Sequence, residues 1–235
     1  MTSATLFAPR VRYVSTGDSQ FDAMMTWRAE LELAYLSEDD TPNVLGGYAD
    51  FLIIRVGEHP IDDLLDSLSQ DAEHFAELFD GDDVADSVQE QFDDSPFNRI
   101  LIITLVEVAG PLRGHDLGAW LVAEVISRMA SPIDTLVLLY PHPIGQVDEG
   151  AEAKAVAALT RHWQRAGLQP VGEGFLGQAT AYRYLSDARV RLKGVAGLHI
   201  TVPSELIREE TPDAYPRHEV IDGAGPQQGL RLVRD

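Results

Sequence analysis

Two short stretches of this chain concentrate side chains that can do chemistry. In Val106-Glu107-Val108-Ala109-Gly110-Pro111-Leu112-Arg113-Gly114-His115-Asp116-Leu117-Gly118, two carboxylates, a guanidinium and an imidazole follow one another among glycines. In Tyr140-Pro141-His142 a phenol and an imidazole close an apolar run. Glu107 has the chemistry of a general base, acting directly or through a water; turned to solvent, or capping a neighbouring strand, it has no such role. Tyr140 has a proton to give, but an aromatic at a sheet end also simply packs there. His115 and His142 are imidazoles, a side chain that suits a phosphate or a proton in transit, though a lone loop histidine is also often simply exposed.

Other chemistries lack their residues. With no cysteine in the chain there is no disulfide, thiol nucleophile or thiolate metal site. The histidines show no metal-ligand spacing, and no Walker loop, G-x-S-x-G elbow or H-E-x-x-H occurs. No metal is expected. Gly172 to Gly177 satisfies G-x-G-x-x-G, but the residues from Gln178 onward read as extended, whereas a dinucleotide site needs a helix there. A glycine-rich hairpin turn is expected instead.

The net charge of −20 repels phosphate backbones and anionic lipid surfaces, so neither nucleic acid nor membrane is an expected partner. The same field attracts a cationic acceptor such as an amine or a basic protein segment, and it also serves solubility alone. No run approaches the roughly 20 apolar residues that span a bilayer. The first residues do not read as a signal peptide, and the cytoplasm is the default expectation.

These residues need elements to position them. Ala29 to Leu36 alternates with period two, Gly46-Gly47 reads as a turn, and Tyr48 to Val56 reads as a second strand. Residues 58–95 carry many Asp and Glu and no Lys or Arg, with Ile61, Leu64, Leu65, Leu68, Phe75, Leu78 and Phe79 at helical spacing. They read as one or two acidic amphipathic helices, either a solvated face or a lid near an acceptor site.

Arg99 to Val108 is a nearly continuous aliphatic run, the pattern of a strand covered on both faces. A loop, a helix from Leu117 to Ala130 and a second buried strand from Thr135 to Tyr140 come next, which is a βαβ unit with parallel strands. Residues 151–166 read as a helix stopped at Gly167, a left-handed cap. Leu168 to Val171 and Gln178 to Leu185 read as a closing hairpin, and the last 20 or so residues as an irregular arm. The expected class is α/β with mixed α+β character: a central mixed sheet with a parallel βαβ core flanked by helices. The expected organisation is an N-terminal segment 1–28, a domain 29–185 with the insertion 58–95, and an extension 186–235.

The passage from Val106 to Leu121 resembles the signature of the GNAT acyltransferase superfamily: a strand ending apolar-x-Val, then Arg or Gln, two residues, Gly, one residue, and Gly or Ala opening a helix. Arg113, Gly114, Leu117 and Gly118 carry the match. Leu159-Thr-Arg-His-Trp-Gln-Arg-Ala-Gly167 is similar to the family's last helix. The resemblance covers about residues 28–185 and implies a GNAT-like fold that takes acetyl-CoA or another acyl-CoA as substrate. It implies that the backbone of Val106 and Val108 pairs with the pantetheine arm. It also implies that Arg113, Gly114, His115, Asp116, Leu117 and Gly118 form the pyrophosphate loop, where orphan amides and the helix dipole favour an anion.

Two positions depart from the family pattern. Asp116 stands where glycine is usual; it either caps the following helix, taking the amides a phosphate would use, or points away from them. Trp163 stands where a tyrosine acid is frequent, and indole is no acid near neutral pH. The expected activity is acyl transfer to an amine by direct attack on the thioester, with Glu107 as base and Tyr140 as substitute acid. The alternative is a GNAT-like binding or assembly module without catalysis. The acceptor and self-association are left open.

Overall fold

A computed structural model describes residues 3–17, 21–35, 43–66, 68, 70–93, 95–143, 149–172, 174–209 and 230–233. Three long antiparallel strands come first: β1 (Ser3–Ser15), β2 (Met24–Tyr35) and β3 (Asn43–Arg55). A helical insertion is next, with α1 (Ile61–Asp66), α2 (Gln70–Glu73), the small hairpin β4 (Phe79–Asp80) and β5 (Asp83–Val84), and α3 (Asp86–Gln89). Then come β6 (Arg99–Val108), α4 (Leu117–Met129), β7 (Thr135–Leu139) and α5 (Glu149–Trp163). The chain continues through β8 (Gln169–Val171), β9 (Phe175–Ala179), α6 (Arg183–Leu192), β10 (His199–Pro203), β11 (Ile207–Glu209) and β12 (Leu230–Val233).

The main sheet has the order β10-β1-β2-β3-β6-β7-β9-β8, and β6 and β7 are the parallel pair on that path. β12 adds antiparallel to the start of β3 and parallel to β11. The protein is therefore mixed α+β, with helices on both faces of a mixed sheet. Because strand side chains alternate, each face has its own core. Leu101 and Ile103 of β6 join Phe51, Ile53, Leu121, Val125 and Leu139 on the face that carries α4 and α6. Ile100 and Ile102 join Ile54, Leu64, Phe75 and Leu138 on the opposite face, under the insertion.

The strand Arg99–Val108 and the helix from Leu117 are where the residue pattern puts them. Gly167 adopts φ 94 after a short 3-10 turn that ends α5, as a left-handed cap requires. Gly172 and Gly174, between the paired strands β8 and β9, have φ 60 and 88, as a hairpin turn there requires.

Four expectations are corrected. Gly46 and Gly47 are not a turn but lie inside β3, and the connection between β2 and β3 falls outside the described residues. A Cβ on Gly47 would stand 2.3 Å from the carbonyl oxygen of Glu107, so glycine is there to let β3 and β6 approach. The run Gln178 to Leu185 is not a strand throughout: β9 ends at Ala179, and Leu185, Ala188 and Leu192 bury one side of α6 at helical spacing.

The insertion, expected as one or two amphipathic helices, is more broken than that, although its acidic residues Asp62, Asp63, Glu73 and Glu77 are exposed as a solvated face requires. It is short helical turns and a hairpin whose Ile61, Leu64, Leu65, Phe75 and Leu78 are buried against the sheet. Finally, the expected boundaries at 28/29 and 185/186 fall inside β2 and α6, and β1 and β10 belong to the same sheet as residues 29–185. The tail is described at β11 and β12 only. No helix among the described residues is long and apolar enough to cross a membrane.

Candidate functional site

The parallel strands β6 and β7 part company midway. Their pairing runs from Arg99 opposite Thr135 to Ile103 opposite Leu139 and stops there, while β6 continues from Thr104 to Val108 beside β3 alone. The cause is a bulge. Against β3, Phe51 opposes Ile103 and Asp50 opposes Leu105, so Thr104 is an extra residue, and its hydroxyl donates to the Asp50 carbonyl at 3.1 Å. A bulge bends its strand and sharpens its twist, which carries the upper half of β6 away from β7.

The hydrogen-bond alternation then decides which backbone groups face the gap. Ala109 N–H donates to Gly46 O at 2.9 Å, so Gly47 and Val108 oppose each other as a non-hydrogen-bonded pair. In such a register the N–H and C=O groups of Val106 and Val108 point away from β3, toward the edge β7 has left. Val108 O is taken by the Arg113 side chain, whose Nε donates to it at 2.9 Å. Val106 keeps both groups, and Val108 its N–H, free among the described residues.

A 3-10 turn at Gly110–Leu112 leads into the loop, where Gly114 has φ 85 and Asp116 φ 58. Leu112 N–H donates to Ala109, Arg113 N–H to Gly110 and Trp120 N–H to Asp116. Between them the amides of Gly114 to Ala119 have no protein partner among the described residues, as expected where α4 begins. Asp116 does not cap them: its carboxylate pairs with Arg165, just past the end of α5. Of the two readings of Asp116, the structure has the one that points away. His115 is exposed, and Leu117 is buried in the core below the loop.

Gly118 brings α4 against the end of α5. A Cβ there would lie 3.1 Å from His162 Nε2, 3.5 Å from Val108 Cγ2 and 3.6 Å from Trp163 Cη2. Trp163 is 7% exposed and belongs to the core under α4. His162 meets it edge-on at 4.6 Å between ring centroids. Burial pushes the His162 imidazole below its ordinary range; the Asp116 charge pulls it back up and Arg165 pushes it down.

Glu107 projects from the face of β6 that also carries Ile100 and Ile102, and Tyr48 lies directly opposite on β3. The Tyr48 hydroxyl donates to Glu107 Oε2 at 2.9 Å. The Arg28 guanidinium lies 4.2 Å over the Tyr48 ring and is held by two hydrogen bonds of 2.7 Å to Asp50. Tyr140 comes directly after the last paired residue of β7, which puts it level with Thr104, about 10 Å short of Glu107 along the strand. Its ring packs on Phe175 at 5.0 Å, on His142 at 5.7 Å and on His74 of the insertion at 5.7 Å. Glu107 and Tyr140 thus face the same side of the sheet, at opposite ends of the free edge.

The residue pattern did not single out Tyr48, Arg28, His162 or Arg165. Their roles depend on strand register and on where α5 ends, and neither is written in local spacing. Among the described residues no group of three or more His, Asp and Glu converges as a metal site. The chain matches no protein-family model, no curated protein and no solved structure.

Proposed function

We propose that this protein binds an acyl-CoA, with acetyl-CoA the first choice, and transfers its acyl group to an amine by direct attack on the thioester. The observation that carries the reading is the free edge of β6, running from Thr104 to Val108 into a loop whose amides have no protein partner among the described residues. An extended pantetheine arm with two amides of its own suits the outward N–H and C=O of Val106 and the N–H of Val108. A pyrophosphate suits the amides from Gly114 to Gly118 at the start of α4. Arg113, anchored through Nε on Val108 O, offers its terminal nitrogens to the same anion. The Arg165 pair offsets the Asp116 charge and keeps that carboxylate off the amides.

The reaction needs little beyond placement. The amine nitrogen bonds to the thioester carbon, the carbon–sulfur bond breaks, and the amine gives up a proton to Glu107, whose Oε1 is not the oxygen Tyr48 holds. The departing thiolate takes a proton from water or from Tyr140, which sits at the closed end of the gap. A cationic acceptor fits the acidic chain, for which a cytoplasmic setting is the working assumption.

The second reading, a GNAT-like binding or assembly module without catalysis, draws on Trp163. The position where the resemblance implies an acid is occupied by a buried indole. Calorimetric titration with acetyl-CoA is the first experiment. Saturable binding at micromolar ligand is the expected result; no binding at millimolar ligand removes the acyltransferase reading, and binding without turnover on any amine selects the module.

A further inference from the structure

The polar residues beside the free edge are joined in one chain that crosses three strands. Asp50 on β3 clamps Arg28 on β2, Arg28 lies over the ring of Tyr48 on β3, and Tyr48 donates to Glu107 on β6. Register sets this geometry: Arg28 opposes Asp50, and Tyr48 opposes Glu107 across β3 and β6 and Glu30 across β2 and β3. Each link limits the next. The two hydrogen bonds to Asp50 fix the plane of the guanidinium. The guanidinium carbon sits over the phenol ring, 4.2 Å from its centre, which limits how far the ring can turn.

We propose that Tyr48 is the positioning residue for Glu107, holding Oε2 so that Oε1 is presented to the acceptor amine at the free edge of β6. The proposal rests on the reading of Glu107 as the base of an acyl transfer. A glutamate at a strand end has three rotatable bonds and no reason to stay aimed at a gap. A 2.9 Å hydrogen bond from a ring whose own motion is limited restricts that freedom. The charges facing the pair are Glu30 and Arg28 from β2 and Asp50 from β3. Burial, then the Glu107 charge, push the Tyr48 phenol well above its ordinary value, so it keeps its proton and stays a donor throughout the working range. Tyr48 gives up no proton in the reaction: the amine proton goes to Oε1, and the hydrogen bond at Oε2 persists.

The test uses the full chain with acetyl-CoA, and spermidine and tetralysine as amines. Wild type, Tyr48→Phe, Glu107→Gln and the double variant are compared. Acetyl-CoA affinity by calorimetry is expected to stay within about twofold in all four, because none of these side chains reaches the phosphate loop. In Tyr48→Phe, kcat is expected to fall on the order of tenfold. The loss is expected in kcat alone, with KM for each amine kept within about twofold, which separates a misdirected Glu107 from a damaged amine site. In the Glu107→Gln background the second substitution is expected to add nothing.

A Tyr48→Phe protein with wild-type kcat overturns the proposal, and so does a loss in the double variant that multiplies the two single losses. Wild-type turnover in Glu107→Gln, or a wild type that binds acetyl-CoA but acetylates neither amine, removes Glu107 as the base and this proposal with it. Failure of the wild type to bind acetyl-CoA overturns the acyltransferase reading itself, and the calorimetry reads that separately.

Discussion

The lower half of β6, Ile100 to Ile103, is fully buried and hydrogen-bonded to β3 on one edge and β7 on the other. The upper half, Leu105 to Val108, is built from much the same aliphatic types, yet it is half-buried and paired on the β3 side only. One bulge residue, Thr104, separates them. Hydrophobic pattern therefore does not distinguish a half-strand paired on both edges from one with a free edge. Pairing does.

The largest expected effect comes from burial. Ile102→Ala removes a side chain that is fully buried between sheet and insertion, and is expected to cost about 2–5 kcal/mol in urea unfolding. Val106→Ala, at a half-buried position, is expected to cost about 1 kcal/mol or less. Equal losses would mean that the two halves are one packed unit and that the gap is closed.

Proline sharpens the same contrast at the level of the backbone. Val106→Pro deletes an N–H that faces the free edge, and Glu107→Pro deletes its neighbour, which faces β3. A strand tolerates proline where the N–H is unpaired and not where it closes a ladder bond. Glu107→Pro is expected to be the less stable variant by about 2 kcal/mol. Val106→Pro is expected to keep the fold and weaken acetyl-CoA binding on the order of tenfold, the worth of one hydrogen bond to the pantetheine arm. Unchanged binding in a folded Val106→Pro protein would detach the cofactor from that edge.

How much of this was legible depends on the range of the interaction. β6 and α4 were readable because an aliphatic run and an amphipathic helix are local patterns, and Gly167 because a helix stop needs one residue type. The Gly46-Gly47 pair misled, since glycines that let two strands approach look like glycines that turn a chain. Tyr182 to Leu185 misled as well. Alternating aromatics suit a strand, and only the spacing of Leu185, Ala188 and Leu192, read together, shows the helix. Of the candidate site, Glu107 and the loop stand out by local spacing, but the hydrogen-bond partner of Glu107 lies 59 residues away and is fixed by register. The bulge at Thr104, which opens the edge, has no signature in the residues around it.

A smaller effect concerns the loop at the top of the free edge. Asp116 is held by Arg165 and leaves the loop amides uncapped, so Asp116→Gly is expected to change acetyl-CoA affinity by less than about threefold. A sharp tightening would instead show that the carboxylate competes with the phosphate for those amides.

The smallest effect lies where α5 meets α4 at Gly118, beside Val108. His162 is half-buried, and burial lowers its folded pKa below the ordinary 6.5, against the pull of Asp116. A base with a depressed pKa is held neutral by the fold, so the unfolded chain takes up the proton first as pH drops. Its contribution to stability is complete above the unfolded value of 6.5 and is lost as pH falls through the lower, folded value. Between about pH 7.5 and pH 5.5 the wild-type Tm is expected to fall a few degrees more than that of His162→Gln. Asp116→Asn is expected to widen the difference, because it removes a charge that favours the imidazolium. Parallel Tm curves for wild type and His162→Gln would mean that the imidazole is solvated in solution. The packing of α5 on Gly118 would then be looser than the contacts at Gly118 describe.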